Sequence, residues 1–101
     1  MLIPARLRIN GREFKVRQPS TLRRAGARGE INYGTAVIQV ATHSNISGRK
    51  LSAAQRSETF WHEVTHGVLD DLGYHLLNRN EKFVKQFSQG LNNVIRSAKF
   101  K

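Results

Sequence analysis

The sequence predicts an α+β fold: a small sheet of about four strands, antiparallel or mixed, packed on one long helix and a C-terminal helix. Three observations point there. Alternating apolar and polar residues flank an Asn-Gly pair near the N-terminus, and a second, more apolar pair of extended runs surrounds Gly34. From Ser52 onward the apolar residues recur at helical spacing. Strands come first and helices second, with no repeat, linker or low-complexity stretch, so residues 1–101 are expected to form a single domain.

Residues 1–16 hold the first hairpin. Leu7 and Ile9 alternate with Arg6 and Arg8, Phe14 and Val16 alternate with Glu13 and Lys15, and Asn10-Gly11 is the preferred pair for a type I′ turn. Residues 18–29 are polar and basic, contain Pro19, Gly26 and Gly29, and read as a loop with a short helical turn at 20–24. A second strand pair covers 30–41, broken at Gly34-Thr35; its later strand is largely apolar and is expected to be central or well covered.

After a polar loop, Ser52 and Gln55 spell a capping box, a helix is expected over 52–72, and Gly73 suits the residue just past its end. Phe60, Trp61, Val64, Val68 and Leu72 share its core arc. Residues 74–80 read as a loop, and a last amphipathic helix over 81–98 offers Phe83, Phe87, Leu91 and Val94 or Ile95 as its apolar stripe.

Composition narrows the function classes. No apolar run approaches the length of a membrane span, the N-terminus lacks a secretory apolar segment, and no membrane association is expected. With no cysteine, disulfides and all-thiolate zinc sites are excluded, so any zinc must be held by His, Asp or Glu. Seventeen Lys and Arg against seven Asp and Glu give a net charge of +10, which favours non-specific association with polyanions such as nucleic acid. The densest basic cluster is Arg17, Arg23, Arg24 and Arg28.

The segment FWHEVTHGVLDDLG carries the chemistry. His62 and His66 lie at i and i+4 on one helix, side by side and off the core arc, so their imidazoles can close on one zinc ion. Glu63 is placed to act as general base on a zinc-activated water. A catalytic zinc site needs a third protein ligand and an open fourth position. Asp70, Asp71, His75 and Glu81 are the downstream candidates. Three ligands along one helix axis would spread over about 12 Å, so Asp70 reads instead as a hydrogen-bond acceptor behind His66 or as a plain solvated acid. Glu81 follows a loop long enough to reverse direction and is favoured over His75, although Asn78 to Glu81 also spells a capping box. Oxyanion donors are sought among Tyr33, His43, Tyr74 and His75, with His75 and Tyr74 ranked first by proximity in sequence. The strand Ala36–Ala41 is expected to lie over this helix and offer an edge to an extended substrate, although the residues do not identify the edge strand.

WHEVTHGVLDDLG, preceded by GEINYGTAVIQV and followed by a helix opening on NEKFV, resembles the small zincin-like metallopeptidases encoded by bacteriophages and prophages, distantly similar to SprT-like and IrrE-type minimal gluzincins. The likeness runs from about Gly29 to the C-terminus. It implies His62, His66 and Glu81 as ligands of one Zn2+, Glu63 as base, a protein or peptide substrate, and a cytoplasmic setting in a bacterial host. Leu72 stands where a metzincin would have its third histidine, which excludes that branch. The expectation is therefore a zinc metalloendopeptidase. The alternative is a non-catalytic, basic, nucleic-acid-associated phage protein with a structural zinc.

Overall fold

Asn10 and Gly11 adopt φ of 47° and 87°, the left-handed pair that a type I′ turn demands, and they join β1 (Arg6–Ile9) to β2 (Arg12–Arg17). The computed structural model describes residues 3–100, so Met1 and Leu2 of the expected 1–16 hairpin, and Lys101, lie outside the described residues. The second pair, β3 (Gly29–Asn32) and β4 (Val37–Val40), is antiparallel, as its alternation predicts. The chain turns between them with Ala36 at φ 56°, a conformation that is costly for a residue with a Cβ.

The sheet is mixed, in the order β1-β2-β4-β3. β4 pairs in parallel with β2 and antiparallel with β3, so the apolar strand is interior, as its composition requires. The expectation that this strand offers an edge is corrected: β1 and β3 are the edge strands, and β3 is the one beside β4. Because β2 and β4 are parallel neighbours, residues 18–28 must carry the chain from the end of β2 to the far edge. They do so as irregular backbone, without the helical turn expected at 20–24.

α1 (Ala53–Leu72) crosses one face of the sheet. Its start is the expected capping box: Gln55 N–H donates to Ser52 Oγ at 3.1 Å, and Ser52 N–H donates to Gln55 Oε1 at 2.8 Å. Phe60 and Val64 enter a core with Ile9, Phe14, Ile38 and Val40, and a fully buried Phe60 contributes about 2–3 kcal/mol. Gly67 permits the close approach, since a Cβ there would lie 2.7 Å from Ile9 Cδ1. Leu72 departs from the expected arc: it is 54% exposed, and Leu69 is buried instead.

Gly73 ends α1 at φ 79°, and the segment expected as a loop contains one turn of helix, α2 (His75–Asn78). α3 (Glu81–Ser97) then returns along α1 and, among the described residues, packs on α1 and α2 but on no strand. It docks through Val84, Ser88 and Asn92, with Ser57 Oγ donating to Asn92 Oδ1 at 2.8 Å. The expected stripe is only partly turned inward: Phe83, Leu91 and Ile95 are half-buried, whereas Phe87 and Val94 are 52% and 63% exposed. The buried polar pair Ser57–Asn92 explains the rotation, because an aromatic face there would leave it unpartnered. No helix among the described residues is long and apolar enough to cross a membrane.

Candidate metal centre

One turn of α1 separates His62 from His66, and their ring centroids lie 4.9 Å apart at 69°. After the reversal, Asn80 caps α3 by accepting from Phe83 N–H at 3.1 Å. Glu81 thereby becomes the first helical residue rather than the third, and the Asn78-to-Glu81 capping box does not form. Its free carboxylate reaches the histidines: Oε2 is 3.3 Å from His62 Nε2, and Oε1 is 3.1 Å from His66 Nε2. One donor atom from each residue lies within 4.8 Å of the other two. Ligand bonds of about 2.0–2.2 Å give tetrahedral edges of roughly 3.3 Å, so the two His–Glu separations fit a zinc ion.

The surroundings of this triad suit metal ligation. His66 Nδ1 lies 2.6 Å from Asn78 Oδ1, which can only accept, so the ring proton sits on Nδ1 and Nε2 is left for the centre. The same amide donates through Nδ2 to the Tyr33 hydroxyl at 3.1 Å. Burial and the neighbouring His66 lower the pKa of His62, against the pull of Glu81, which favours the neutral imidazole that a metal requires. These facts correct one assignment: Asn78, not Asp70, partners His66.

Glu63 is 8% exposed. Burial, then the charges of Glu81 and Glu30, push its pKa up to about 7, with Arg24 pulling the other way. The backbone of β3 presses directly on it: a Cβ at Gly29 would stand 2.9 Å from Glu63 Oε2 and 2.4 Å from Thr59 Cγ2. Only glycine lets the edge strand lie this close to Glu63.

Two open cavities of about 480 and 550 Å3 share Arg24, Ala27, Gly29, His62 and Glu63, and together they form a groove. The larger adds His66, Glu81, Glu30, Ile31 and Tyr33. β3 forms one side. Ala41 N–H donates to the Arg28 carbonyl at 2.8 Å, and antiparallel ladder bonds fall on alternate residues. Gly29 and Ile31, opposite Val40 and Ile38, therefore turn their backbone N–H and C=O groups away from β4, toward the free edge.

The groove's outer wall is the 22–28 loop, held by Asn45. Asn45 Nδ2 donates to the carbonyls of Leu22 and Arg24, both at 2.7 Å, and Oδ1 accepts from Gly26 N–H at 2.9 Å. Leu22 anchors the loop below, against Ala41 and Leu51.

The remaining candidates fall elsewhere. Tyr74 and His75, ranked first as oxyanion donors, are exposed on the α2 turn and line neither cavity, whereas Tyr33 lines the larger one. Burial is the largest influence raising the Tyr33 pKa, which keeps it a protonated donor near neutral pH. Asp71 Oδ2 accepts from Asn10 Nδ2 at 2.6 Å, and His43 Nδ1 meets Thr42 Oγ1 at 2.8 Å, both outside the groove. The sequence reading missed Asn78 and Asn45. The first was visible only as a helix cap, and the second had no local signal. Comparison with protein-family models, curated proteins and solved structures found no match, so the functional reading rests on the residues themselves.

Proposed function

We propose that the chain is a zinc-dependent metallopeptidase of the HExxH type that hydrolyses peptide bonds of a protein substrate bound along β3. The observation that carries this reading is the meeting of His62, His66 and Glu81 beside a buried Glu63, in a groove with an edge strand along one side. Each part of that arrangement has a use. A bound zinc ion would polarise the scissile carbonyl and make a water acidic enough to attack near neutral pH.

The chain supplies the rest. His62 and His66 present neutral Nε2 atoms, and Asn78 fixes the tautomer and ring plane of His66. A Glu63 carboxylate oxygen takes the proton of the attacking water and returns it to the departing amine nitrogen. Its raised proton affinity suits both halves of that transfer. The Tyr33 hydroxyl donates to the carbonyl oxygen as negative charge develops there. The outward N–H and C=O groups of Gly29 and Ile31 pair with an extended substrate backbone, so the peptide adds a strand to the sheet.

The competing assignment, a basic nucleic-acid-associated protein with structural zinc, needs a closed site. Glu81 is 67% exposed and the centre faces a groove, which favours the peptidase. The reading extends to a phage-encoded enzyme working in the bacterial cytoplasm. The test is zinc content together with cleavage of a quenched peptide library by wild type and Glu63→Gln. The expected result is about one zinc per chain in both proteins. Activity should fall on the order of 1,000-fold or more in the variant. Equal rates would remove the catalytic reading, and absence of metal would remove both zinc readings.

A further inference from the structure

The smaller cavity continues the groove past His62, away from Tyr33 and Glu81. Arg24 and Arg28 enter it from the Asn45-clamped loop, and Lys85 faces them from α3. Among the described residues every ion pair is between histidine and Glu81, so none of these three cations forms a direct ion pair with a carboxylate, although Arg24 stands near enough to Glu63 to lower its pKa. Apart from the base, the only acid lining this cavity is Glu58, whose Oε1 already accepts from Gln89 Nε2 at 2.8 Å. The other end of the groove differs: Glu30, Ile31 and Tyr33 line it, and Arg24 is its only cation. The groove is thus polarised along the line on which a substrate strand would lie.

We infer that the Arg24–Arg28 end of the groove is a carboxylate-binding subsite, which takes an acidic side chain or the free C-terminus of the peptide close to the bond that is cut. The inference rests on the peptidase reading and adds a specificity to it. Two guanidinium forks match a carboxylate in a way that a neutral side chain cannot. The Asn45 bonds hold the loop backbone before any ligand arrives, so binding orders the arginine side chains but little main chain. A phosphate would also satisfy these cations. However, they converge on one cavity rather than forming the extended basic track that follows a polynucleotide backbone.

The test uses one quenched peptide frame carrying Asp, Ala or Lys at each position around the scissile bond, as free acid and as C-terminal amide. Zinc-loaded wild type and the surface variant Arg28→Glu/Lys85→Glu are assayed for kcat/KM. Calorimetry with zinc-loaded Glu63→Gln, with and without the same two changes, measures binding of the uncut peptides. The expected result is a preference of on the order of tenfold for a carboxylate at one position. The double charge reversal should shift that preference to Lys, in both cleavage and binding. The Asp and free-acid arms separate a side-chain carboxylate from a terminal one.

Equal cleavage of all peptides overturns the subsite while leaving the peptidase intact. Loss of all cleavage, with the Asp preference and its reversal still seen by calorimetry, overturns the peptidase and retains the subsite. Neither cleavage nor discrimination overturns both. Equal binding of Asp and Ala peptides, with a short single-stranded oligonucleotide binding more tightly and released by the charge reversal, overturns the inference in favour of a nucleic-acid site.

Discussion

Glu63→Gln in the metal-free protein tests the site without any assumption about catalysis. The change keeps the shape of the side chain and removes its charge. Glu63 carries a folded pKa of about 7 against an ordinary 4.5, with burial as the leading cause. At about 1.4 kcal/mol per unit, the cost of holding its charge under β3 is about 3 kcal/mol, as an order of magnitude. The sign follows from the raised value. Below pH 4.5 the carboxyl is protonated in both folded and unfolded chains, and the folded protein bears no penalty. As pH rises toward 7 the unfolded chain loses its proton first, so stability falls, and above 7 the full cost is present. The lowered pKa of His62 acts oppositely, removing stability as pH falls below 6.5, but both proteins share that contribution. Urea unfolding of EDTA-treated wild type and variant at pH 4 and pH 8 isolates the difference. The variant should match wild type at pH 4 and exceed it by about 3 kcal/mol at pH 8. A difference that does not change with pH would refute the burial argument.

Three further outcomes follow from contacts around the centre. Asn78→Ala should weaken zinc binding by about 10- to 100-fold in a competition titration, while His75→Ala leaves it unchanged. Tyr33→Phe should keep full zinc occupancy and lower kcat by on the order of 100-fold, with little change in KM. Gly29→Ala, which forces a Cβ against Thr59 and Glu63, should cost about 1–3 kcal/mol in thermal unfolding. It should also depress activity at unchanged zinc content, because no ligand is displaced.

The parts of this fold that are readable in the sequence are those whose signal is local. The Asn10-Gly11 turn, the Ser52 capping box and the Gly73 stop depend on a few neighbouring residues, and each forms as expected. His62, Glu63 and His66 are equally local, since helix periodicity alone places them together. Glu81 was legible as far as the reversal after Gly73, and its capping alternative fails because Asn80 takes the cap. Long-range information is what the sequence conceals. The apolar stripe of α3 pointed to its core face, yet the Ser57–Asn92 hydrogen bond across 35 residues decides the rotation. Asn78 reads as no more than a candidate helix cap until Tyr33, 45 residues earlier, supplies its other partner. The edge strand was also hidden, because parallel pairing of β2 with β4 carries no mark in either segment.

That parallel pairing bears on how this scaffold could be redesigned. The chain from β2 to β3 has to span the sheet, so the groove's outer wall is built from connection that the topology requires. Leu22, Ala27 and the Asn45 clamp fix its path, leaving Arg23, Arg24 and Ala25 exposed between the anchors. Their side chains can be exchanged without loosening that path, with Arg24 also setting the charge beside Glu63, whereas deletions would pull β3 off the sheet edge and uncover Glu63. A library that varies these letters at constant length is therefore the economical route to altered selectivity on an unchanged metal centre.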